Sequence, residues 1–105
     1  MTKSERPSNV LIGELAGQAI VHYLKGDQAA SDEALAKLSS ITDGGCNYQF
    51  VEVDAVRGEV VAAFSAMEAA YENRDTGLQM ILGDRYLEKL RGDPRYDAMI
   101  EKIGL

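Results

Sequence analysis

The sequence predicts an all-α fold, and three observations carry that prediction. Apolar residues recur at the three- and four-residue spacing of a helix face in three separate segments. The chain matches its own pattern when it is slid along itself until Gly26 lies over Gly58. In the C-terminal third, aspartates stand before short apolar runs, where helix caps belong.

The first helix is predicted over 9 to 25. Its polar residues Glu14, Gln18, His22 and Lys25 leave Leu11, Ile12, Leu15, Ala16, Ala19, Ile20, Tyr23 and Leu24 as a wide apolar surface. Leu11, Leu15, Ala19 and Val21 are expected to face the next helix, leaving Ile12, Ala16, Ile20 and Tyr23 as a stripe with no obvious cover. Gly13 and Gly17 make a GxxxG pair, expected to allow a close helix crossing. Gly26-Asp27 ends this helix, and Ala30, Ala34, Leu35, Leu38 and Ile41 define a second, stopped by Asp43-Gly44-Gly45.

Tyr48 to Val56 is ambiguous. Its β-branched and aromatic residues partly alternate, which alone favours a strand, with Arg57-Gly58 as a hairpin turn. The match of the chain to itself opposes that reading. It lays Gly26-Asp27 over Gly58-Glu59, Ser31 over Ala63, Leu35 over Met67 and Leu38 over Ala70. If the first copy is helix-turn-helix, the second should be too. Val60, Ala63, Phe64, Met67, Ala70 and Tyr71 then give the cleanest amphipathic pattern in the chain. Asp75 and Asp84 are expected to cap two shorter helices. Asp93-Pro94 reads as an N-cap with a first-turn proline, starting a last helix that turns Tyr96, Met99, Ile100 and Ile103 inward.

At 105 residues, 46% apolar and 27% charged, the chain is the size of one domain and has the composition of a folding one. Eleven basic and 17 acidic side chains give a net charge of −6, which disfavours nucleic acid. The acid is concentrated between residues 27 and 75, with ten acidic and three basic residues, and reads as solvated helix faces and caps. One cysteine, Cys46, and one histidine, His22, exclude disulfide frameworks and Cys/His zinc sites. Cys46 reads as a small turn residue. Met1 to Pro7 lacks the apolar core of a signal peptide, and Val10 to Leu24 is short of the roughly 20 apolar residues of a membrane span, so a cytoplasmic protein is expected.

Ser31-Asp32-Glu33-Ala34-Leu35-Ala36-Lys37-Leu38, then Tyr48-Gln49 through Val53 to Arg57-Gly58-Glu59, then Ala62-Ala63-Phe64 through Glu68-Ala69-Ala70-Tyr71, resemble tetratricopeptide repeats, especially those near the C-terminus of many bacterial proteins. Arg74-Asp75, Gly77-Leu78, Leu90 to Tyr96 and Ile103-Gly104-Leu105 look like the tail that closes such arrays. The resemblance covers about residues 10 to 105. Where the family usually has tyrosine, four residues before the turn glycine, this chain has His22 and Asp54, and the closing proline of each repeat is missing.

The resemblance implies a flexible tail over 1–8, a first hairpin over 9–41, a second over 47–74 and a helical cap over 75–105. It implies a protein-interaction or scaffold module. The alternative is a regulatory or sensory C-terminal tail of a bacterial signalling protein with an adenylate-cyclase or transcriptional output domain. The partner-binding residues expected are Ile12, Ala16, Ile20, Tyr23, Leu24, Tyr48, Gln49, Glu52 and Val56. Such a groove is apolar with one acid, unlike a clamp for C-terminal carboxylates. No phosphate loop, HExxH or nucleophile-base pairing is present, so no catalysis, cofactor or metal is expected. Expected partners are a protein or peptide, upstream repeats or a second copy of the chain, because about two repeats fall short of a self-sufficient stack.

Overall fold

The computed structural model describes residues 9–42 and 48–105, and every regular element among them is helical. In order they are α1 (Asn9–Leu24), α2 (Gln28–Ile41), α3 (Tyr48–Val56), α4 (Val60–Glu72), the 3-10 helices η1 (Thr76–Gly83) and η2 (Arg85–Leu90), and α5 (Pro94–Ile103). The expectations placed on the N-terminal tail, on Asp43-Gly44-Gly45 and on Cys46 lie outside the described residues. The chain divides between residues 45 and 46 into two compact units.

In the first unit α1 and α2 form a helical hairpin. Asp27 caps α2 by accepting from the Ala30 backbone N–H at 3.1 Å. Ser31, fully buried, donates its hydroxyl to the Ala19 carbonyl at 2.7 Å. A small polar residue suits this position because its hydroxyl is satisfied by the facing helix, avoiding the cost of an unpaired buried group. Leu15, Ala19, Ala34 and Leu38 are buried as the spacing predicts, but Leu11 and Val21, expected to face α2, are exposed. Two further expectations need correction. The stripe thought to lack cover is partly covered: Ala16 and Ile20 are buried, and Ile12 and Tyr23 half-buried. Gly13 and Gly17 support no close crossing, since a Cβ built on either meets no atom within 4 Å.

The second unit begins with the segment that local propensity reads as a strand, and it is a helix. As a helix, α3 sends Tyr48, Val51 and Ala55 into one core with Ala63, Phe64, Met67 and Ala70 of α4. Those α3 positions are spaced by three and four, so tertiary burial selects the helical period over the β propensity of the individual residues.

The two hairpins turn with the same backbone hydrogen bonds. The N–H groups of Lys25, Gly26, Asp27 and Ser31 donate to the carbonyls of Val21, Tyr23, His22 and Asp27. Those of Arg57, Gly58, Glu59 and Ala63 donate to Val53, Ala55, Asp54 and Glu59, so every donor and acceptor is displaced by the one interval that separates Gly26 from Gly58. Each turn is a Schellman closure with glycine in the left-handed region, φ 87° at Gly26 and 77° at Gly58. The same closure ends α4, but there the left-handed position is Arg74, φ 59°.

Beyond it, Leu78, Ile81, Leu87 and Leu90 are buried at intervals of three or six residues, with Asp84 in register between them. Three residues per turn is the 3-10 period, so a single row faces the core through η1 and η2. The aspartate caps form as expected: Asp75 accepts from Gly77 N–H, Asp84 from Tyr86 and Asp93 from Arg95. α5 buries Tyr96 and Met99, and two cations fasten it to α4. The Arg95 guanidinium lies 4.6 Å from the Phe64 ring centre, and the Lys102 ammonium 4.7 Å from that of Tyr71, while also pairing with Glu68 at 2.8 Å.

Candidate functional site

The densest chemistry in the second unit surrounds Tyr48. α3 begins there because its backbone N–H is received by Asp75 Oδ2 at 2.8 Å, while Asp75 Oδ1 accepts from the Gly77 N–H at 2.8 Å. One carboxylate therefore caps both α3 and η1, which the whole of α4 separates along the chain. At the other end of the side chain, Tyr48 Oη donates to Asp84 Oδ2 at 2.7 Å, and Asp84 Oδ1 accepts from the Tyr86 N–H at 2.9 Å. Tyr96 closes the same region by donating its hydroxyl to the Ile81 carbonyl at 3.1 Å.

Glu52, one turn beyond Tyr48 on α3, is half-buried. Burial first, and then the neighbouring Asp84 carboxyl, push its carboxyl up to about 8. Burial first, then the bond to Asp84, holds the Tyr48 phenol well above its ordinary range. Asp54, in the turn at the end of α3, is raised to about 6, by burial first and then by Glu59, with Arg57 opposing.

Two open clefts lie elsewhere, one in each unit. An open cleft of about 440 Å³ is bounded by Tyr71, Arg74, Thr76 and Lys102 among others, with Glu72 and Asp75 balancing its cations. Another of about 500 Å³ runs along α1 past Glu14, Gly17, Gln18, Val21 and His22. Among the described residues no three His, Cys, Asp or Glu side chains converge as a metal site would require, and no helix is long and apolar enough to cross a membrane.

The partner-binding residues expected from sequence fall in different environments. Ala16, Ile20, Tyr48 and Val56 are buried, so they do not line an open groove. Ile12, Tyr23, Gln49 and Glu52 are half-buried, and Leu24 is exposed. Of the nine, Tyr48 reaches Asp84, a residue that sequence reasoning assigned only as a cap. Its second role had one local sign: Asp84 occupies an inward position of the three-residue row otherwise filled by leucine and isoleucine.

No family model matches this chain, and neither the search of curated proteins nor that of solved structures returns a match.

Proposed function

We propose that this chain is a protein-interaction or scaffold module built from tetratricopeptide-like helical hairpins, without catalysis. The observation that supports the reading is that the backbone hydrogen bonds of the first turn, around Gly26, recur donor for donor around Gly58. A period in the low thirties with one helix pair per copy is the hallmark of such arrays, which present side chains to a partner rather than perform chemistry. Large apolar side chains left in solvent are consistent with a docking role, foremost Val61 at 73% exposure and Leu24 at 68%.

The test is selection of displayed peptides on the immobilised 105-residue chain. The expected result is an apolar consensus whose binding weakens at least tenfold on Leu24→Asp or Val61→Asp chains. Failure to enrich any consensus, or equal binding to both variants, refutes the proposal.

A further inference from the structure

The turn after α4 has the backbone of the two hairpin turns but not their glycine. Among the described residues the left-handed positions are Gly26, Gly58, Gly92, Gly104 and a single exception, Arg74. A side chain there meets the steric penalty that glycine avoids. No contact within the chain offsets it, because among the described residues the Arg74 guanidinium makes no hydrogen bond or ion pair. Arg74 instead lines the cleft of about 440 Å³ formed by the end of α4, the start of η1 and the end of α5. We propose that this cleft binds a small carboxylate with an apolar body, its carboxylate received by the Arg74 guanidinium. The inference does not depend on the repeat reading of the hairpins.

The lining divides by chemistry. Tyr71, Leu78 and Ile103 supply an apolar wall, while Thr76 and Gln79 add a hydroxyl and an amide that have no partner among the described residues. The other charged groups of the cleft are already engaged. Lys102 pairs with Glu68 at 2.8 Å and lies over the Tyr71 ring, and Glu72 sits in the field of the same ammonium. Asp75 gives its two oxygens to the N–H groups of Tyr48 and Gly77. Arg74 is the cation left to take a ligand.

These observations select the ligand class. A guanidinium presents a planar fork that matches a carboxylate through two parallel hydrogen bonds. A phosphate dianion would face Glu72 and Asp75 as well as Arg74, so a single negative charge suits the cleft better. A wall of Tyr71, Leu78 and Ile103 calls for a hydrocarbon or aryl body behind that charge, as in small-molecule sites with an apolar lining and a few placed polar groups.

Titration of the whole 105-residue chain with phenylpropanoate, followed by backbone amide NMR, tests the site. Amides of the cleft, residues 71–79 and 102–103, should shift with a Kd below about 1 mM. Phenylpropanamide, the uncharged counterpart, and inorganic phosphate should each bind at least tenfold more weakly. Arg74→Gly should weaken phenylpropanoate binding at least tenfold without lowering the thermal midpoint, since glycine suits that backbone. Arg74→Asn, a residue that also tolerates the left-handed region, should lose binding likewise, and it decides the matter if Arg74→Gly does not fold. Arg85→Gln removes an exposed cation outside the cleft and should bind within twofold of wild type. Absence of saturable shifts in the cleft, equal binding of the amide or of phosphate, wild-type binding by the Arg74 variants, or an equal loss in Arg85→Gln overturns the proposal.

Discussion

Tyr48 and Gly77 approach so closely that only glycine fits at position 77: a Cβ placed there would lie 2.6 Å from Tyr48 Cβ and 2.9 Å from Tyr48 Cγ. Both atoms of Tyr48 sit next to the α3 backbone, so the overlap is not relieved by rotating the end of a flexible side chain. Gly77→Ala is expected to destabilise the chain by about 1–3 kcal/mol, the usual cost of overpacking. Urea denaturation checks this, and a variant as stable as wild type would show that α3 and η1 separate without penalty.

Asp75 joins the same two elements electrostatically. Removing its carboxylate uncaps α3 and η1 at once, so Asp75→Ala should cost about 2–3 kcal/mol, more than the ~1 kcal/mol of an ordinary single cap. Asp75→Asn keeps one acceptor oxygen and should recover about half of that loss. Denaturation midpoints of the two variants measured side by side test the ordering.

The left-handed closures give a prediction of opposite signs. Gly58→Ala places a Cβ at φ 77°, and should destabilise by about 1 kcal/mol. Arg74 already bears that strain at φ 59°, so Arg74→Gly should be stabilising or neutral, by up to about 1 kcal/mol once the added freedom of the unfolded chain is counted. Thermal unfolding of both variants under one buffer distinguishes the signs.

The repeat also exposes an imperfect cap. Asp27 caps α2 through its side chain, whereas Glu59, its counterpart in the second turn, makes no side-chain cap bond to α4. Its extra methylene carries the carboxylate past the N–H groups that aspartate reaches. Glu59→Asp should therefore gain about 0.5–1 kcal/mol, read as a higher urea midpoint.

The acid–base prediction follows from Glu52. Its carboxyl rises from 4.5 to about 8 on folding, so between those values the folded chain holds a proton that the unfolded chain has lost. Stability must then fall as pH rises through that window, and change no further on this account above it. Asp54, raised from 3.8 to about 6, adds to the fall at the lower end. A lower denaturation midpoint at pH 8.5 than at pH 6 is expected for wild type, with most of the difference gone in Glu52→Gln. A midpoint that climbs over this range would contradict the assignment of the proton to Glu52.

Much of the helical layout is legible in the sequence. Gly26-Asp27, Gly58-Glu59 and Asp93-Pro94 mark helix boundaries through local chemistry, a left-handed glycine or a capping carboxylate acting on N–H groups two or three residues away. The row Leu78, Ile81, Asp84, Leu87, Leu90 also announces a three-residue period, although short apolar runs are easily taken for α-helix. The uncovered stripe on α1 was not legible, because a helix face reveals that it is apolar but not what lies over it. Ala16 and Ile20 prove buried, and Leu24 exposed.

By itself, the sequence determined that the chain is helical, where its first turn recurs, and which aspartates start helices, because all of these are set by interactions among residues close along the chain. Only the tertiary structure decided that Asp75 serves two helices and that the Tyr48 hydroxyl ends on Asp84. Those outcomes depend on partners far apart along the chain, as Tyr48 is from Asp75 and Asp84. Burial against such partners overrides local propensity and moves a carboxyl's proton affinity, and neither effect leaves a signature at the residue itself.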